Sequence, residues 1–191
     1  MRTIVLLSAG ALLVGAVAPA AAATAAPARA TAKPLVIRTA TSPGGGRAVR
    51  SLGPMQDRRW RLSSFRAAFG RPSSCGGRTP DFVVAEWRSV GVKATFYTLG
   101  LGADGCVGRN LYAGVITLRG PRWQTDKGLK IGATTSELTA AYPQATHKGA
   151  RWVLEALTSQ FGATGVFPTL EATSRAGVVR SFVATIGAGG E

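Results

Sequence analysis

Thr134-Thr135-Ser136-Glu137-Leu138-Thr139-Ala140-Ala141-Tyr142-Pro143 reads as one short helix with both ends specified. Thr134 and Glu137 stand at the S/T-x-x-E spacing of a capping box, in which each side chain satisfies a backbone N–H of the first turn. Leu138 and Tyr142 lie four apart on one face, and Pro143 cannot continue the helical hydrogen bonding. Extended chain surrounds this helix. Gly128-Leu129-Lys130-Ile131-Gly132 is a short lead-in, and residues 151–157, 165–172 and 178–186 are strand candidates. Ser174-Arg175-Ala176-Gly177 turns the last two into a hairpin.

The first half of the chain uses the same grammar. In residues 62–69, Leu62, Phe65 and Phe69 are at helical spacing, and Gly70 and Pro72 end the segment. A loop over residues 73–80 holds Cys75. Strands are expected at 82–87 and 92–97, joined by the turn Arg88-Ser89-Val90-Gly91, and at 111–118 after a glycine-rich connection that carries Cys106. In the second of these, Val92, Ala94 and Phe96 share one face while Lys93, Thr95 and Tyr97 share the other. The expected class is therefore α+β, with short helices packed on antiparallel sheet. Residues 55–120 and 121–191 read as two tandem similar α+β units, in one ordinary domain or as two very small ones. The match is of pattern, not identity, because the first unit lacks a capping box and has the longer, cysteine-bearing loop.

Residues 1–30 carry a positive start at Met1-Arg2, an apolar run to Ala18 and an Ala/Pro/Thr exit. This is the pattern of a secretory signal peptide. No cysteine follows the apolar run, so a lipid anchor is not expected, and the mature part has no transmembrane segment. Residues 31–54 read as a flexible lead-in: Pro34-Leu35-Val36-Ile37-Arg38 could form a short strand, but Ser42-Pro43-Gly44-Gly45-Gly46 then breaks regular structure. Outside the cytoplasm, Cys75 and Cys106, the only two cysteines, are expected to form a disulfide. A reactive thiol or a metal pair is the alternative. Neither cysteine sits in a C-x-x-C and His147 is the only histidine, so no metal site is expected, and no cofactor either.

The chain has 23 Lys and Arg against 9 Asp and Glu, a formal charge of +14. Residues 33–93 hold twelve of the basic residues against three acids. Such a surface collects near wall polymers, anionic head groups or nucleic acid, with affinity that falls as salt rises. Arginine that merely solubilises the surface is the competing explanation.

The phrase Thr125-Asp126-Lys127-Gly128-Leu129-Lys130-Ile131-Gly132-Ala133-Thr134-Thr135-Ser136-Glu137-Leu138, ending in Ala141-Tyr142-Pro143, resembles one found in small secreted proteins of GC-rich Gram-positive bacteria. The helix-then-hairpin unit is similar to those of the β-lactamase inhibitor protein and of the outer-membrane assembly lipoprotein BamE. The resemblance covers residues 125–186, and residues 55–118 more loosely. It implies tandem units and a protein-binding or envelope-associated role, and it transfers no contact residues.

Catalytic constellations are scarce. His147 falls in a polar turn and reads as an exposed loop histidine. No G-x-S-x-G, S-x-x-K or H-E-x-x-H pattern occurs. Among carboxylates, Asp126 is one candidate, Glu137 is explained by capping, and Glu86, Glu155 and Glu171 alternate with apolar neighbours as solvent-face residues do. No catalytic residue is assigned. The aromatic-basic pairings Arg58-Arg59-Trp60-Arg61 and Arg122-Trp123 form the candidate binding patch, since Trp and Arg are enriched at interface hot spots. The alternative is that each tryptophan anchors the core while its arginine faces water. The expected function is a secreted, non-enzymatic binding or envelope-associated protein whose partner is a protein or an anionic envelope polymer. Nucleic acid is not the expected partner. The rival reading is a secreted hydrolase acting on wall material through an unfamiliar site.

Overall fold

Eleven strands and two short α-helices make up the described part of the chain. The structure, a computed structural model, describes residues 32–43, 45–56, 60–79, 81–98, 106, 111–160 and 162–186. The expected signal peptide and the patch members Arg58 and Arg59 lie outside the described residues. In chain order the elements are β1 (Leu35–Thr41), β2 (Arg47–Leu52), α1 (Leu62–Phe69), β3 (Ser74–Thr79), β4 (Phe82–Trp87), β5 (Val92–Thr98) and β6 (Leu111–Leu118). There follow β7 (Trp123–Thr125), α2 (Thr135–Ala141), β8 (Thr146–Lys148), β9 (Arg151–Gln160), β10 (Ala163–Arg175) and β11 (Val178–Thr185). Helices on antiparallel sheet are present as expected, but strands dominate, so the protein is mostly β.

Eight strands form one antiparallel sheet in the order β3-β4-β5-β6-β11-β10-β9-β8. The link between the two halves of the chain is β6 to β11, with Leu118 opposite Phe182 and Ile116 opposite Ala184. Period-2 alternation divides the sheet into an apolar inner face and a half-exposed outer one. On the inner face Val83, Ala85, Trp87, Val92, Ala94, Phe96, Ile116, Leu118, Phe182 and Ala184 are all buried.

Both helices lie on that inner face. In α1, Leu62 and Phe65 are buried, and the Phe65 ring packs 5.5 Å from Trp87 and edge-on 5.2 Å from Phe96. The Trp87 indole N–H donates to the Gly70 carbonyl at 2.8 Å, which ties the helix end to β4. At α2 the capping box is formed in both directions: Glu137 N donates to Thr134 Oγ1 and Thr134 N donates to Glu137 Oε2. These bonds hold the Glu137 carboxyl below its ordinary pKa, the Thr134 backbone N–H contributing most.

Residues 31–54 require a correction. They contain β1 and β2, a hairpin rather than a flexible lead-in, and β1 also pairs in parallel with β7. The reason is burial: Leu35, Ile37, Val49 and Leu52 all reach the core, and Trp123 of β7 joins them with its indole donating to the Val90 carbonyl at 2.7 Å. Ser42, Pro43, Gly45 and Gly46 lie in the connection between the two strands, where the Gly45 N–H donates to the Ser42 carbonyl at 3.0 Å. The expected loop at 73–80 is likewise corrected, since residues 74–79 form β3. Backbone pairing to β4 along the sheet edge supplies this strand although its glycines offer no side chain to pack.

Cys75 and Cys106 are disulfide-bonded with a Cα–Cα distance of 6.0 Å, inside the range such a bridge requires. The described residues belong to one compact unit. No helix among them is long and apolar enough to cross a membrane.

Candidate functional site

The outer face of the large sheet is ordered by register into rows of side chains. Its side chains, among them Phe82, Lys93, Thr95, Tyr97 and Tyr112, are partly or fully exposed. At one end Phe82 of β4, Tyr97 of β5 and Tyr112 of β6 stand side by side in consecutive strands. Phe82 and Tyr97 meet edge-on at 5.0 Å. Phe82 is 38% exposed, an unusual position for so large an apolar ring. Arg61 extends the row, because its backbone bridges to Tyr112 on the other side of β6. The Arg61 guanidinium lies 5.1 Å from the Tyr112 ring centre and donates to the Tyr112 hydroxyl at 2.9 Å. Its Nε–H has no hydrogen-bond partner.

The ring of Tyr97 is seated by Gly114, the extra residue where β5 and β6 slip register between Thr95 and Phe96. A Cβ at Gly114 would fall inside the Tyr97 ring, so this glycine is required by close approach. Next to the aromatics comes a half-exposed row of Val84, Thr95, Val115 and Thr185. Beyond it a longer row runs Glu86, Lys93, Thr117, Val183, Glu171 and Val153 across six strands. The face therefore grades from aromatic to aliphatic to mixed polar. Among the described residues it is built of partly exposed side chains, without a catalytic grouping.

Three comparisons, with family models, characterised proteins and solved structures, find no match to this chain.

The patch expected from sequence divides. Trp60 and Trp123 are 5% and 0% exposed, so both tryptophans anchor the core, and their assignment to a binding patch is corrected. Trp60 sits at φ 51°, a left-handed conformation held by the Ala113 N–H donating to its carbonyl at 2.8 Å. Arg122 donates to the Lys33 carbonyl and so fastens the start of β1. Among the described members of the patch, only Arg61 reaches the outer face. Its aromatic neighbours were not singled out in the sequence, although the alternation that placed Tyr97 opposite the apolar face was the signal that could have found them.

The carboxylates resolve into structural roles. Glu155, expected on a solvent face, is 5% exposed, and a register shift in β9 against β10 turns it inward opposite Leu170. Lys127 Nζ approaches its Oε1 at 2.9 Å and Arg47 Nε at 3.5 Å, ion pairs that lack hydrogen-bond alignment. Asp126 accepts from the Thr39 N–H at 2.8 Å and lies 3.9 Å from Arg47. Lys127 also sits 4.3 Å from the Tyr142 ring centre. The Tyr142 hydroxyl lies against Thr125 without an aligned hydrogen bond. Burial first, and then the charges of Asp126 and Glu155, raise its pKa well above the ordinary phenol value. It is thus neutral at physiological pH and no base. The cluster neutralises its own charges and joins the small sheet to β9. His147 lies in β8 rather than in a turn, exposed, with its ring 4.5 Å from Trp152. No group of three metal-ligating side chains occurs among the described residues.

Proposed function

We propose that this is a secreted, non-enzymatic binding protein whose outer sheet face docks a protein partner. The observation that carries the reading is the Phe82–Tyr97–Tyr112–Arg61 row. Aromatic rings and arginine are the side chains that give interfaces most of their binding energy, and here they stand half-exposed on a rigid sheet. The aliphatic row beside them widens the patch. The disulfide fits an extracytoplasmic location.

The chain order supports descent from two related units. A helix followed by β3, β4, β5 and β6 is answered by a second helix followed by β8, β9, β10 and β11. The halves meet through their last strands, so that the sheet order reads outward symmetrically from the β6–β11 junction. That arrangement agrees with the resemblance to tandem-unit inhibitor proteins, which present one broad sheet to a partner.

A photo-crosslinking side chain placed at Thr95, in the middle of the face, tests the reading in culture fluid and envelope fractions. The expected result is one discrete protein adduct, lost in a Tyr97→Ala, Tyr112→Ala variant and absent when the probe stands at Lys130. Equal labelling from both positions would rule out docking on this face.

A further inference from the structure

At the end of the sheet opposite the aromatic row, positive charge accumulates without balance. Arg119, immediately after β6, and Arg175 and Arg180, at the β10–β11 turn, line an open cleft of about 620 Å³ together with Thr173, Ser174 and Ser181. All three arginines are exposed. The Thr173 and Ser181 hydroxyls hydrogen-bond to each other at 2.6 Å. Register carries the charge further, since Thr173 is opposite Arg151 and Arg151 is opposite Lys148. Among the described residues none of these five cations has an ion-pair partner; the ion pairs are made by Arg47, Arg88 and Lys127. Cations directly opposite on neighbouring strands repel, so the Arg151–Lys148 pairing is unfavourable until an anion relieves it. Glu171 bounds the patch, two residues from Thr173 on the same face, about 7 Å along the strand.

We infer that this cleft and its flanking row bind a base-free phosphodiester polymer of the polyol-phosphate kind. Guanidinium groups grip phosphate oxygens through paired N–H donors, and the hydrogen-bonded Thr173–Ser181 hydroxyl pair leaves one O–H as a neutral donor between them. From Arg119 to Arg151 is three strand spacings, about 14 Å, which suits repeating charge better than a single ion. No aromatic side chain lines the cleft, so nucleobases have nothing to stack on. This site is separate from the aromatic row and does not depend on the protein-partner reading.

The test titrates the purified protein with poly(glycerol phosphate) and with single-stranded DNA of equal charge, at two salt concentrations. Arg175→Gln with Arg180→Gln should weaken polymer binding about tenfold and lower the salt slope by roughly two. Arg38→Gln with Lys130→Gln removes as much charge elsewhere and should change affinity less than about twofold. Arg119→Gln, outside the turn, should move affinity in the same direction as the double change and keeps the test valid if the hairpin is perturbed. Equal losses from the cleft pair and the distant pair would overturn the site in favour of a diffuse field. DNA binding as tight as polymer binding would overturn the base-free ligand, and no binding at low salt would overturn the proposal.

Discussion

Glu155 shows how a single carboxylate can join two layers. It is the buried acid to which Lys127 and Arg47 bring charge from the small-sheet side. Removing it leaves both cations partly desolvated. Because each keeps about a third of its side chain in water, Glu155→Gln is expected to cost about 2–3 kcal/mol in urea unfolding, less than a fully buried pair would. Tyr142 belongs to the same cluster and gives a pH signature. Its raised folded-state pKa means that above the ordinary value of 10.0 the unfolded chain loses a proton that the native protein retains. Stability is thus fully present below that pH and falls as pH rises, by about 1.4 kcal/mol per unit for this one group. Tyr142→Phe should flatten the alkaline slope of the unfolding free energy while leaving neutral stability nearly unchanged. A slope that persists in the variant would assign it to other groups.

Strand and helix boundaries followed from local chemistry where local chemistry decides them. The capping box, the Arg88–Gly91 turn, β6 and the β10–β11 hairpin were all legible, because each is set by neighbouring residues. Gly91 illustrates this: it closes the turn at φ 67°, a left-handed conformation that favours glycine. Elements that depend on distant partners were legible only in part: residues 34–38 offered a short strand, but neither its hairpin nor β3 could be read. The β1–β2 hairpin owes its order to β7 and Trp123, and β3 exists because β4 offers an edge. The same limit explains Glu155, whose inward turn comes from a register slip that no alternation rule anticipates. It also explains the split patch, since Trp60 and Arg61 are adjacent in sequence but one enters the core and the other the outer face. The aromatic row is an element-scale device, and Gly114 is its support. Gly114→Ala is expected to push Tyr97 off its seat, costing about 1–3 kcal/mol and weakening the proposed docking more than any change in the inner core of equal cost. Measuring unfolding and crosslink yield together separates the two effects.

For the molecule as a whole, the disulfide ties β3 to the connection before β6 across a sequence separation of 31 residues. Cys75→Ser with Cys106→Ser should cost about 3–4 kcal/mol on the chain-entropy account, and a thiol assay on denatured, unreduced protein should find none. The β6–β11 junction has a consequence for biogenesis. The strand that completes the first half, β6, finds its other neighbour only when the last strand of the chain has arrived. Until then residues 115–118, with Ile116 and Leu118 among them, lie along an open edge, the kind of edge that recruits a foreign strand. A chain delivered to its compartment amino end first would pass through that state during every synthesis. Residues 32–120 expressed alone are therefore expected to self-associate through β6, and supplying β11 as a peptide should suppress it. The seam that buries Ile116, Leu118, Phe182 and Ala184 in the finished sheet is, during assembly, a hazardous edge.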